Sequence, residues 1–251
     1  RLSPHPGPAE GSSRVSILVA RPASRAASLA MGYIFRPGLH ACNPGGSLVF
    51  LDVAGDRYFA LGETATNACL RLIDDPANAP GDSTIVDDLL ARDIIRRVED
   101  DIRPALCPPT LRVVSCARDL PPGRARPGAV AAALGRSFWA IVELKTGSLD
   151  GALASVMRAK RSVPCSITPI AELAVFAGVF AQADRTITAL DRCLQRSIAL
   201  ARTMIAAGVA PDLILGVKLR PFEAHCWVQH GNVLVSDDPG TIAPFTPILA
   251  V

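Results

Sequence analysis

Charge of one sign is in short supply: 26 Lys and Arg face 23 Asp and Glu, a formal balance of +3 over 251 residues. So small a bias gives no ground for expecting nucleic acid or an anionic membrane as a partner. Long hydrophobic runs are missing too, despite a mean hydropathy of +0.30. The most apolar uncharged stretch, Leu173 to Ala183, falls far short of the roughly 20 residues a spanning helix needs. The uncharged C-terminal run is broken by Pro239, Pro244 and Pro247, so a soluble protein is expected. No C-x-x-C pair occurs among the seven cysteines at 42, 69, 107, 116, 165, 193 and 226, and their number is odd. A disulfide framework or thiolate zinc site is therefore not expected, no metal or cofactor is called for, and a reducing cytoplasm is the natural compartment. No period of 20–50 residues repeats, which argues against a solenoid.

What is present is enough apolar material for a core: 49 % of the residues are hydrophobic and 20 % charged. Residues 1–31 are rich in Pro and Gly at their start, hold no signal-peptide core, and are expected to form a mobile extension. Leu48–Val53 and Arg57–Leu61, separated by Ala54-Gly55-Asp56, read as a β-hairpin. A helix opening at Gly62-Glu63-Thr64 follows and ends before Asp75-Pro76. Asp82-Ser83-Thr84 caps a second helix through Val86, Leu89 and Leu90, and Ile94, Ile95, Val98 and Ile102 suggest a third. A hairpin with three short helices outlines a winged-helix module over residues 32–105. Proline then crowds residues 106–128, with one candidate strand at Leu111–Val114, and marks a connector. Residues 129–251 are the second domain, with helices expected at 129–144 and 149–159.

The last third carries the chemistry. Asp191–Ala207 fits a helix with Leu194, Ile198, Ala201 and Ile205 on one face, stopping at Gly208. Strands are expected at 213–217, 224–228 and 233–235, with Gly231-Asn232 turning the last two. Cys193 falls in the first helical turn, where free amides and the helix dipole favour a thiolate. His225 lies on the second strand and Asp237 closes the third. A helix-borne Cys, a strand-borne His and a next-strand Asp form a nucleophile, a general base and the group that orients it. Asp238 is the alternative acid. Trp227 shares a strand face with His225 and either shields the imidazole or simply packs, while alternation turns Cys226 away from His225.

Cys193-Leu194-Gln195-Arg196-Ser197, Gly216-Val217, Pro221-Phe222-Glu223-Ala224-His225-Cys226-Trp227-Val228 and the downstream Asp237 resemble the lasso-peptide B proteins. These are transglutaminase-like cysteine peptidases that remove the leader of a ribosomally made precursor. Residues 32–105 are similar to the recognition element that holds such leaders, here fused to the peptidase. One departure is Cys226, where the family usually has Ala. The resemblance implies an α+β protein: a winged-helix recognition element, then a papain/transglutaminase-like domain with its catalytic helix packed on an antiparallel sheet. It places the catalytic roles on Cys193, His225 and Asp237. It also implies two partners, the lasso precursor peptide and an asparagine-synthetase-like cyclase that closes the ring.

For the leader, an exposed sheet edge suits strand addition. Tyr58 and Phe59 on the second hairpin strand, with Ile94, Ile95 and Val98 on a facing helix, are the expected contacts; ordinary core packing is the alternative for each. Deleting residues 32–105 is expected to weaken capture while sparing the fold of the triad. Two other functions stay open at this level: a transglutaminase-type acyl transferase, and a non-catalytic scaffold that delivers the leader.

Overall fold

The computed structural model describes residues 32–74, 83–100, 102–121, 125–164, 166–185 and 193–251. The expectations for residues 1–31, for the Asp75-Pro76 and Asp82 helix boundaries, and for the start of the last long helix at Asp191 lie outside them. Among the described residues, no helix is long and apolar enough to cross a membrane.

The N-terminal part opens with β1 (Gly32–Phe35) and β2 (Leu39–Cys42), then the expected hairpin, β3 (Val49–Asp52) and β4 (Arg57–Ala60). The order β2-β3-β4 is antiparallel throughout and leaves β4 at the sheet's edge. Asp52 fixes the hairpin turn. Its Oδ1 accepts the Gly55 amide at 3.0 Å, while Arg36 and Arg57 reach its other oxygen at 2.7 and 3.1 Å. The Arg36 guanidinium, together with the Gly55 and Arg57 contacts, holds this buried carboxyl below its ordinary range. Helix α1 (Glu63–Asp74) buries Thr66, Ala68, Cys69 and Leu72 along one stripe, and α2 (Ser83–Ala91) buries Val86 and Leu89.

The third expected helix is a strand. β5 (Ile95–Val98) pairs antiparallel with β1, Ile95 opposite Phe35 and Val98 opposite Gly32. The 94, 95, 98, 102 spacing fits a helix, yet β-branched Ile and Val also suit a pleated surface. Asp93, at φ +52°, ends the turn after α2 and redirects the chain. Ile94 and Ile95 are closed into the core with Phe35, Leu48, Phe50 and Leu89. They do not stand on a helix facing an open groove, and neither does Val98.

The strand expected at Leu111–Val114 forms instead at β6 (Ser115–Cys116), which pairs parallel to a C-terminal strand. Helices α3 (Pro127–Thr146) and α4 (Leu149–Lys160) follow, with the Ser148 hydroxyl accepting the Gly151 amide at 3.1 Å as the cap of α4. Helix α5 (Ile170–Asp184) is the apolar stretch that is too short to cross a membrane; it buries Leu173, Ala177 and Phe180. Helix α6 (Cys193–Ala206) buries the run Ser197–Ala201 together with Met204 and Ile205, and the chain turns at Gly208, φ +82°.

The C-terminal strands β7 (Asp212–Lys218), β8 (Glu223–His230) and β9 (Val233–Leu234) form the expected meander. A short helix α7 (Pro239–Ile242) leads to β10 (Thr246–Ala250), which completes the sheet order β10-β7-β8-β9-β6. Pro247 does not prevent β10 from forming, because a register irregularity between Pro247 and Leu249 accommodates it at the sheet's edge.

The central strand of the small sheet, β3, is buried on both faces. Leu48 and Phe50 point into the core beneath α1 and α2. The alternate residues Val49, Leu51 and Val53 join one continuous core with α3–α6 and the large sheet, and Tyr58 packs against it. The Ala41 carbonyl also accepts the Cys107 amide at 2.8 Å. Residues 32–105 and the C-terminal part therefore share a core.

Candidate active site

The site forms where the large sheet runs out of partners. β9 covers β8 only at Gln229 and His230. Among the described residues the edge of β8 from Val228 back towards His225 thus has no further strand, and its backbone groups need other partners. The Val228 carbonyl accepts the amides of Val235 and Ser236 at 2.9 and 3.3 Å, and the Val228 amide donates to the Ser236 hydroxyl at 2.9 Å. Two residues earlier, the Cys226 carbonyl accepts the Ser197 hydroxyl at 2.9 Å, and the Cys226 amide donates to the Cys193 sulfur. Residues 226 and 228 face the same edge because backbone polar groups alternate along a strand. The side-chain hydroxyls and the sulfur thus occupy the ladder positions of an absent strand, and this docks the start of α6 beside His225.

Asp237 Oδ1 lies 3.3 Å from His225 Nε2, and Cys193 is the ring's other hydrogen-bond partner. The Asp237 and Cys193 hydrogen bonds raise the imidazole to about 9 against its partial burial. Burial on its own would raise the Cys193 thiol. The His225 hydrogen bond, the Cys226 and Leu194 amides and the imidazolium charge outweigh it, so the thiol lies below its ordinary 9.0. Asp237 follows the same logic: burial opposes ionisation, but His225, Ser236 and Arg196 draw its carboxyl down. The arrangement favours a thiolate–imidazolium pair steadied by a carboxylate, a nucleophile with a proton donor at its side.

The three predicted residues are therefore brought together. Asp238, the alternative acid, is turned outward to Arg118 at 3.2 Å. Trp227 stacks near the imidazole, ring centroids 6.3 Å apart, and Phe245 closes another side at 5.3 Å. Gly216, opposite His225 in the register, makes room for both: a Cβ there would meet the Trp227 ring at 2.6 Å and Phe245 Cβ at 3.2 Å. Cys226 is buried in the main core, and burial pushes its thiol far up. The Cys42 and Cys69 thiols are pushed up to about 12 by the same cause.

Two residues that support Asp237 received no role from the sequence. Arg196, one turn after Cys193, donates to the Ser236 carbonyl at 2.8 Å, contacts Asp184 at 2.7 Å and lies 3.8 Å from Asp237 Oδ2. The Ser236 hydroxyl donates a short hydrogen bond to Asp237 Oδ2. The signal for Arg196 was its i,i+3 spacing from Cys193; Ser236 carried none beyond adjacency.

Of the residues expected to contact a leader, Tyr58 and Phe59 sit on edge strand β4 and line a cavity there with Leu219 and Phe222. Ile94 and Ile95 lie in the core beneath the opposite face. Among the described residues, no group of three or more His, Cys, Asp or Glu could hold a metal ion.

The family model described as "Transglutaminase-like superfamily" matches residues 138–250, from within α3 to β10. No curated protein and no solved structure matches the chain.

Proposed function

From the premise that residues 138–250 form a transglutaminase-like superfamily domain, we propose that this chain is a cytoplasmic cysteine peptidase of lasso-peptide maturation. It binds the leader of a precursor peptide and cuts leader from core, before an asparagine-synthetase-like cyclase closes the ring. The observation that supports the reading is the hydrogen-bonded sequence Cys193–His225–Asp237 at the open end of β8. The edge of β4, unpaired among the described residues, supports leader capture, since an extended peptide can add there as a fourth strand.

The chemistry follows from the charges. The Cys193 thiolate attacks the scissile carbonyl carbon, a C–S bond forms, and the carbonyl electron pair moves to oxygen. When the tetrahedral intermediate collapses, the C–N bond breaks and the leaving amine takes the proton from the His225 imidazolium. This leaves the leader as a thioester on Cys193 and frees the core's new amino terminus. Neutral His225 then takes a proton from water as that water attacks the thioester. Breaking the C–S bond releases the leader carboxylate and restores the ion pair. Asp237 stays ionised and holds the ring.

The test is incubation of the chain with a lasso precursor, followed by mass spectrometry. Free leader and free core are expected, with none from Cys193→Ala. Product that appears only with an added amine would replace hydrolysis by acyl transfer. Cleavage by Cys193→Ala would overturn the mechanism.

A further inference from the structure

The edge of β4 and the turn between β7 and β8 enclose a cavity of about 230 Å³, lined by Val49, Tyr58, Phe59, Ala60, Leu219 and Phe222. Its walls come from both parts of the chain. Tyr58 and Phe222 meet ring to ring, centroids 5.6 Å apart, and Phe222 is still 49 % exposed. None of the lining side chains is charged. The basic Lys218, at the end of β7, and Arg220, in the same turn, line a different cavity, with Pro44, Gly45 and Ser47. Drug-sized ligands fill roughly 300–1,000 Å³, so this cavity has room for about one large side chain.

Its position ties it to the nucleophile. Phe222 lies three residues before His225, and Tyr58 and Cys193 both pack against the same core. Burial first, and then the nearby Cys226 and Cys193 sulfurs, raise the Tyr58 phenol. Phe222 immediately precedes β8, and three residues of extended chain span about 10 Å. The outer edge of β4 is unpaired among the described residues, so a peptide added there would run along the cavity mouth.

We propose that this cavity is a specificity subsite: it receives one large apolar side chain, such as Leu or Phe, of an extended substrate lying on β4, within about three residues of the bond cut at Cys193. The inference rests on the peptidase reading and deepens it by assigning the side-chain class that the site selects. It also gives the shared core a purpose, because the hairpin that would hold the substrate supplies four of the pocket's six lining residues.

The test uses tetrapeptidyl chloromethyl ketones that carry Ala, Leu, Phe or Asp at each of three positions in turn. Their rates of Cys193 labelling are divided by the rate with iodoacetamide, which is too small to use the cavity. At one position Leu and Phe should label at least about tenfold faster than Ala, given about 0.8 kcal/mol per buried methylene, with Asp slower still. Phe222→Ala removes a wall and Ala60→Trp fills the space from an exposed position; each should bring the ratio to within about twofold of unity. No preference at any position, or one that survives both variants, overturns the subsite. A clear preference alongside an uncut precursor leaves the subsite standing and removes the peptidase reading. A cut precursor with no preference does the reverse.

Discussion

Excision of residues 32–105 is expected to unfold the rest of the chain rather than merely weaken its grip on substrate. Val49, Leu51 and Val53 are at most 3 % exposed and belong to the core built by α3–α6 and the large sheet. Burying each such side chain stabilises by about 1.5–3 kcal/mol, so losing the three costs about 5–9 kcal/mol. Tyr58, Cys42 and the Ala41–Cys107 backbone bond go with them. A domain's whole stability is about 5–15 kcal/mol, and the loss is of that order. Far-UV circular dichroism on heating should show no cooperative transition for residues 106–251 alone, against one for the full chain. Leu51→Ala is the graded version, expected to cost about 2–5 kcal/mol and to lower Tm while the melt stays cooperative. A fragment that melts cooperatively within a few degrees of the full chain, with Cys193 still reactive, would refute the shared core.

Cleavage should fall as pH rises through about 9, where His225 loses its proton and the thiolate loses both its counter-charge and its acid. The sign for stability agrees. His225 gains proton affinity on folding, so its contribution is full below 6.5 and fades as pH climbs to about 9, read from Tm against pH. Asp237 behaves oppositely: its carboxyl is drawn down on folding, so its contribution is full above 3.8 and is lost as pH falls through the lowered value. Arg196→Leu should reduce cleavage on the order of 10²-fold, the scale of a small displacement of a reacting group, and move the acid limb of the pH profile upward. A profile that keeps its shape would remove Arg196 from Asp237's support. Gly216→Ala places a methyl 2.6 Å from the Trp227 ring. The overpacking should cost about 1–3 kcal/mol in Tm and slow cleavage by displacing the indole from beside His225.

The C-terminal elements were legible because their signals are local and agree with one another. The apolar stripe and Gly208 stop mark α6, and alternating strands joined by Gly231-Asn232 mark the meander. Cys193, His225 and Asp237 could be picked out for the same reason, since each falls at an element's end or on a readable face. β5 departs from the expected helix because Ile94, Ile95 and Val98 satisfy a helical spacing; pairing with β1, 60 to 66 residues away in the chain, decides the matter. β10 was hidden by Pro247, whose missing amide hydrogen does no harm at a sheet edge. The double-sided burial of β3 could not be read at all. A run such as Leu48–Val53 is apolar on both faces, but only the tertiary structure says that two cores lie against it.

The pairing of Cys193 with His225 is tested most directly by the pH dependence of Cys193 alkylation by iodoacetamide, with the modified residue located by mass spectrometry. The account predicts that Cys193 reacts readily below pH 9.0, and that His225→Ala moves the profile up towards that ordinary thiol value. Superimposable profiles for the wild-type chain and His225→Ala would contradict it.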